Sequence, residues 1–145
     1  MTTIDTLLTL DADDPALRRG IAALLGWRIE RNEYRQKFYA HGPDGKFFDF
    51  TYWDIGDQMD DVWLKLEAEE IGPCEPLIAD WTHSVDAALG LFAADGITWW
   101  GIDHRVDYGI SHRSGYSVHI NGISLAEFEA SLPLAICRAW LASKR

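Results

Sequence analysis

The chain has 145 residues, 48% of them hydrophobic and 12% aromatic, which suits one compact domain with a core large enough to fold unaided. Its net charge is −10, and residues 1–95 carry 19 acidic against 8 basic side chains, so direct binding of DNA or RNA is not expected. No apolar run is long enough to span a membrane, the first residues lack the basic region of a secretory signal, and two cysteines fit a reducing cytoplasm better than a disulfide framework.

The first predicted element is a helix over residues 14–26. Asp14 is a suitable N-terminal cap, and Gly26 suits the left-handed residue that follows a helix. A β-hairpin is predicted over 36–53, because two aromatic-rich runs flank the turn sequence G-P-D-G. A short strand over 27–30 is predicted to precede the hairpin.

Residues 54–76 form an acidic, insertion-like segment. Its most acidic part, 54–70, contains seven acids and one lysine. Residues 61–71 alternate as a strand would, but they are rich in helix formers, and Asp60 and Asp61 stand where a cap is needed. A helix is therefore predicted here, with a strand as the alternative.

Residues 81–144 are predicted to begin with a helix and a three-stranded antiparallel meander. The helix covers 81–96 and is capped by Thr82 or Ser84. The meander is predicted from short β-branched and aromatic runs, which are 97–102, 105–110 and 116–120.

Two helices are predicted to complete the chain. Ser124 and Glu127 make a capping-box pair, which predicts a short helix over 125–129. A final helix is predicted over about 133–143, with Cys137 as a small buried hydrophobe on its inner face. The cations that suit the negative end of this helix dipole are Arg138, Lys144 and Arg145.

Together these elements predict an α+β protein of one domain, a layered sandwich in which a small antiparallel sheet carries helices packed on it. The sequence contains no nucleophile elbow, no glycine-rich dinucleotide or phosphate loop and no C-x-x-C pair. No catalytic residue, metal or cofactor is therefore predicted.

Two segments carry a resemblance to a known family. W-T-H-S-V-D-A-A-L-G-L-F (81–92) and L-P-L-A-I-C-R-A-W-L-A-S-K (132–144) resemble the phage ABA sandwich domain family, small proteins of tailed phages and prophages. L-G-W-R-I (25–29) is similar to the turn after that family's first helix. The resemblance implies a layered α+β sandwich that acts in a bacterial host cytoplasm, and it implies no catalytic residue.

The main functional hypothesis is a non-enzymatic protein-interaction module. Tryptophan dominates the energetics of interfaces, and tryptophans lie both directly before and within the acidic segment. The residues predicted to bind a basic protein surface, of host or phage, are Trp53, Asp54, Asp57, Asp60, Asp61, Trp63, Glu67, Glu69 and Glu70. Such a surface would imitate nucleic acid phosphates, and inhibition of a host defence system would fit a small acidic phage protein.

Two other classes of function are left open. In a nucleotide-like small-molecule binder, Trp99 or Trp100 would stack on the ligand, and the turn with His112 and Arg113 would hold a phosphate. In a metal-assisted or carboxylate hydrolase, the candidate residues would be Asp103, His104, Asp107 and His112. A homodimer, through an exposed sheet edge or a spare tryptophan, is a further open alternative.

Overall fold

The computed structural model describes residues 3–68, 76–106, 109 and 114–145. Within them it has six α-helices and two three-stranded antiparallel sheets, so the predicted α+β class is confirmed. The chain divides into two compact units, which we call the terminal unit (residues 1–18 and 80–145) and the central unit (residues 19–79). None of the helices in this described part combines the length and the apolar character needed to cross a lipid bilayer.

Two helices open the chain. α1 spans Ile4–Leu7, a single turn that the sequence pattern does not predict. α2 spans Pro15–Leu24, and the Asp14 carboxylate accepts a hydrogen bond from the Ala16 N–H at 2.9 Å. Gly26 follows with a φ of 109°, a conformation that favours glycine. The first predicted helix is confirmed.

The sheet of the central unit has the order β1-β2-β3, and these strands span Arg28–Asn32, Lys37–His41 and Phe47–Thr51. A 3-10 turn over Pro43–Gly45 joins β2 to β3, and the Gly42 N–H donates to the Lys46 carbonyl at 2.8 Å. Asp44 has a φ of 59° and Gly45 a φ of 76°, as a tight reversal requires. The G-P-D-G hairpin and the strand predicted before it are both confirmed.

Two helices follow this sheet, α3 over Tyr52–Ile55 and α4 over Met59–Glu67. The hairpin ends at Thr51, two residues before the predicted boundary, because the Thr51 hydroxyl accepts a hydrogen bond from the Asp54 N–H at 3.2 Å and caps α3. α4 confirms the predicted helix over the strand alternative. Its Val62 and Leu66 lie one turn apart and are fully buried, and α4 packs against β1.

The sheet of the terminal unit has the order β4-β5-β6, and these strands span Trp100–Val106, Ser114–Ile120 and Ile123–Glu129. The predicted meander is wrong in its first strands, because Asp103 and His104 continue the ladder with β5 and join two predicted strands into β4. Both side chains are exposed on an edge strand, where polar residues are tolerated. The predicted strand residues 107, 108 and 110 lie outside the described part of the chain.

The short helix predicted over 125–129 is wrong, because these residues belong to β6. The predicted pair does form, since the Ser124 hydroxyl donates to Glu127 Oε1 at 3.2 Å, but it forms within a strand. Asn121 and Gly122 have φ values of 52° and 80°, as in a two-residue hairpin turn. This turn brings β6 back onto β5, and the ladder hydrogen bonds outweigh the local capping signal.

Two longer helices complete the terminal unit, α5 over Val85–Ala94 and α6 over Leu132–Ser143. Ser84 caps α5 by accepting a hydrogen bond from the Ala87 N–H at 3.2 Å, so this predicted helix is confirmed with a later start. α6 packs on β5 and β6 and against α5. The final predicted helix is confirmed, and its buried residues are Leu134, Ala135, Ile136, Cys137, Ala139, Trp140 and Leu141.

Candidate functional site

The predicted partner-binding residues lie on α3, on α4 and in the loop between them. Trp53 projects from α3 and is 95% exposed, so its indole contributes almost nothing to a core. Asp54, beside it on α3, and Asp57, in the following loop, are also exposed. Trp63 on α4 is half-buried. The two tryptophans therefore differ, and Trp53 is the one available to a partner.

Arg19 neutralises two of the predicted contact acids. Its Nε donates to Glu67 Oε1 at 2.6 Å, and its Nη1 donates to Asp60 Oδ1. The side chains of Arg19 and Glu67 are only 18% and 13% exposed. Burial disfavours the charged guanidinium, but the hydrogen bonds to Glu67 and Asp60 outweigh it and raise the pKa of Arg19. These carboxylates hold α4 in place and are already matched by a cation.

Asp61 serves the start of α4. Its Oδ2 accepts a hydrogen bond from the Gln58 N–H at 3.1 Å, which completes a capping box. The carboxylate also lies against Gly56, where φ is 107° and a Cβ atom would overlap it. Asp61 is therefore a structural residue. The remaining predicted acids, Glu69 and Glu70, lie outside the described residues.

Three of the predicted residues are neither paired with Arg19 nor used to cap α4. These residues are Trp53, Asp54 and Asp57, and we call them the Trp53 surface. Among the ion pairs of the described residues, none involves Asp54 or Asp57. Asp57 accepts only a side-chain hydrogen bond from Gln58, at 3.1 Å. The arrangement combines one solvent-exposed indole with two carboxylates whose charge no cation matches in this part of the chain.

The tryptophans predicted to stack on a nucleotide lie at the start of β4. Trp99 is 65% exposed and lies over Gly122, and its carbonyl accepts the Asn121 N–H at 2.8 Å. Trp100 is 37% exposed and packs on Phe92, with ring centroids 5.6 Å apart. Neither indole is a core residue. The turn predicted to hold a phosphate contains His112 and Arg113, which lie outside the described part of the chain. The nucleotide-binding alternative therefore stays a prediction.

The two candidate hydrolase residues that the structure describes lie on one strand and do not share a site. Asp103 and His104 are neighbours on β4, so their side chains point to opposite faces of the sheet. His104 packs on the Tyr116 ring at 5.1 Å, and Asp103 Oδ2 lies 3.9 Å from His119 Nδ1. Among the described residues, no three His, Cys, Asp or Glu side chains are placed to hold a metal ion. The other two candidates, Asp107 and His112, lie outside these residues.

An ionic cluster around His83 is not predicted from the sequence. Its Nε2 lies 2.7 Å from Asp13 Oδ1, and its Nδ1 lies 3.0 Å from Asp80 Oδ1. The hydrogen bonds to Asp80 and then to Asp13 raise the pKa of His83 above its ordinary value. Thr82 Oγ1 is 3.1 Å from Nδ1, but Thr82 is buried and out of reach of a substrate. The cluster is a clamp in which His83 lies between Asp13 and Asp80, and it joins two segments of the terminal unit.

Cys137 is chemically inert in the folded chain. It is fully buried in α6, and its Sγ donates to the Trp81 carbonyl at 3.2 Å. Burial, together with the charge of Asp80, raises the pKa of its thiol to about 12. The prediction that Cys137 is a buried hydrophobe and not a nucleophile agrees with this environment.

An open groove of about 400 Å³ lies along α6 and β6. Its cations already have partners, since Arg138 donates to Glu129 at 2.6 Å and to the Leu10 carbonyl at 2.9 Å. Arg145 pairs with Asp5 at 3.1 Å. The groove therefore offers a ligand little uncompensated positive charge, and it is a weaker candidate than the Trp53 surface.

The resemblance to the phage ABA sandwich domain family is a prediction from segments of sequence. It rests on 81–92 and 132–144 in the terminal unit, and more loosely on 25–29 in the central unit. None of these segments contains a residue of the Trp53 surface. Comparison of the chain with protein-family models, with curated proteins and with solved structures finds no match.

Proposed function

We propose that this chain is a non-enzymatic protein-interaction module that binds a basic protein surface through the Trp53 surface. The observation that carries the proposal is the 95% exposure of Trp53 beside Asp54 and Asp57. An indole left in water has a large apolar area to bury on binding, and tryptophan is enriched among the residues that dominate binding energy. The neighbouring carboxylates favour a cationic partner over an acidic one.

The charge of the whole chain supports the same partner chemistry. The net charge is −10, which accelerates encounters with cationic surfaces and disfavours anionic ones. A basic protein is therefore the expected partner, and a nucleic acid is not. Within this proposal, the resemblance to the phage ABA sandwich domain family suggests a bacterial cytoplasm as the setting. A host defence protein whose nucleic-acid-binding surface is basic would be a suitable target.

The experiment that tests the proposal is affinity capture from bacterial lysate with a matched pair of triple variants. The test variant, Trp53→Ala/Asp54→Asn/Asp57→Asn, removes the indole and both carboxylates of the Trp53 surface. The control variant, Trp99→Ala/Asp44→Asn/Glu33→Gln, removes another exposed tryptophan and two other exposed acids. Both variants change the net charge by the same amount, so a general charge effect cannot separate them.

We expect the unmodified chain and the control variant to retain the same protein, and the test variant to lose at least about tenfold in retention. Raising the salt concentration should weaken capture, because partly exposed ion pairs are screened. Equal retention by both variants would contradict the role of the Trp53 surface. A retained protein with an acidic surface would contradict the proposed partner chemistry.

A further inference from the structure

β4 is the first strand in the sheet of the terminal unit. It pairs with β5 in an unbroken antiparallel register over all seven residues, Trp100–Val106. Among the described residues, no strand pairs with its other side. The strand contains no proline, and its second half, from Asp103 to Val106, is exposed. An edge of this kind is a template for another strand unless its side chains prevent pairing.

Charged side chains on an edge strand usually prevent it from pairing with another strand. On β4 they include both signs, so two antiparallel copies of the strand can match them. We propose that two copies of this chain pair antiparallel through β4, about a twofold axis that passes beside His104. In that register Asp103 faces Arg105 of the second copy, and Ile102 faces Val106. Directly opposed residues lie about 4.5–5.5 Å apart, close enough for two ion pairs on one face of the joined sheet and two apolar pairs on the other.

Symmetry limits the registers that can compete. A twofold axis perpendicular to a sheet places one residue opposite its own copy, because hydrogen-bonded and non-hydrogen-bonded pairs alternate along the ladder. Centring on Asp103 would place two carboxylates face to face. Centring on Ile102 would leave Asp103 opposite Gly101, with no cation. Of the registers centred on a residue of β4, only the one at His104 gives both Asp103 and Arg105 an opposite charge within the strand, so we assign it.

The other edge strands are poorer templates. β6 has register shifts against β5, which disturb the regular spacing of its outer groups. β3 contains a single charged residue, Asp49, so no register within that strand can give it an opposite charge. β1 is packed against α4, and its Glu30 carboxylate already bonds His41 at 3.2 Å. The proposed contact is independent of the Trp53 surface, since β4 belongs to the terminal unit and α3 to the central unit.

Charge reversal tests both the dimer and its register. The change Asp103→Arg alone places two arginine pairs across the interface, and Arg105→Asp alone places two aspartate pairs there. We expect each single variant to weaken dimerisation about tenfold or more, and the double variant D103R/R105D to restore it. Sedimentation velocity over a concentration series up to the millimolar range measures the dissociation constant. Glu33→Arg, an exposed reversal in the central unit, is the control and should leave dimerisation unchanged.

A cysteine at the axis gives a second readout that does not depend on affinity. With Cys74→Ser as background, His104→Cys should form an intermolecular disulfide under mild oxidation, since opposed Cα atoms fall within the range that a disulfide bridges. Asp103→Cys, one residue off the axis, should cross-link poorly. An unmodified chain that stays monomeric over the whole concentration series would overturn the proposal. Failure of D103R/R105D to recover dimerisation, or cross-linking at 103 rather than 104, would overturn the register.

Discussion

The terminal and central units each contain a three-stranded antiparallel sheet, but they hold a helix against it by different means. In the terminal unit α6 packs on β5 and β6 and buries seven residues, among them Trp140 and Ile136. In the central unit α4 packs on β1 and buries two residues, Val62 and Leu66. Apolar burial, which scales with buried area, must therefore stabilise α6 far more than α4.

The two units also differ in how much their helices depend on ionic contacts. α4 is held through Arg19, whose guanidinium bonds Glu67 and Asp60, and the pair with Glu67 is mostly buried. In the terminal unit the comparable Arg138 contact with Glu129 adds to a helix that is already buried. We therefore expect the Arg19 contact to matter more for the stability of the central unit than the Arg138 contact does for the terminal unit, because α4 buries less apolar surface than α6. Five substitutions, ordered from the largest expected loss of stability to the smallest, test how each unit is held together.

Trp140→Ala should cause the largest loss. Trp140 is fully buried in α6, and its Nε1 donates to Asp95 Oδ2 at 2.8 Å, so the substitution opens a cavity and removes a hydrogen bond. We expect the free energy of unfolding to fall by about 3–5 kcal/mol, measured by circular dichroism in urea. Trp140→Phe fills most of the space, and Asp95 keeps its ion pair with Lys144 at 2.7 Å, so this control should lose less. Equal losses for both variants would mean that packing is not the main contribution.

Arg19→Met should cause the next largest loss. It keeps an apolar stem but removes the cation that faces the mostly buried carboxylate of Glu67. We expect a loss of about 1–3 kcal/mol in the free energy of unfolding. The double variant Arg19→Met/Glu67→Gln should recover part of it, because the carboxylate is then neutral. A double-mutant cycle measures that coupling.

The matched control for Arg19 lies in the same unit. Lys37 pairs with Asp49 at 3.3 Å on the face of the sheet, and the two side chains are 33% and 50% exposed. Because solvent screens such a pair, Lys37→Met should cost at most about 1 kcal/mol. A loss as large as that of Arg19→Met would contradict the claim that α4 depends on one particular contact.

The elements that could be predicted from sequence are those whose signals are local. Asp14 and Gly26 mark the ends of α2, and the G-P-D-G turn marks the hairpin, because a cap or a turn acts within a few residues. β6 was predicted wrongly for the same reason, since the Ser124–Glu127 pair is local too. The Asn-Gly turn before it is a stronger hairpin signal, and it accounts for the strand.

The site could be predicted only in outline. Sequence placed Trp53 in an acidic segment, but which acids are neutralised depends on Arg19, which is 41 residues from Asp60 and 48 from Glu67. One of the two carboxylates that contact His83 is more remote still, since Asp13 lies 70 residues away. No periodicity or spacing rule connects such positions. Their proximity is a product of tertiary packing, which a single sequence does not reveal.

His83 gives the terminal unit a pH-dependent contribution to stability. Its pKa in the folded chain is raised above the ordinary 6.5, so the stabilisation is fully present below about pH 6.5 and is lost as the pH rises through the folded pKa. The side chain is 48% exposed, so the effect should be at most about 1 kcal/mol. His83→Gln should lower the free energy of unfolding at about pH 5.5 and have little effect at about pH 8.5. The opposite trend would contradict the clamp.

Trp53→Ala should have the smallest effect on stability and the largest effect on partner binding. Trp53 and Trp140 are the same residue type, but one is 95% exposed and the other fully buried, so their substitution separates function from folding. We expect Trp53→Ala to change the free energy of unfolding by no more than about 0.5 kcal/mol. A loss comparable with that of Trp140→Ala would show that the indole packs within the chain. In that case the Trp53 surface would be part of the fold, and the exposure on which the proposed interaction depends would not exist in solution.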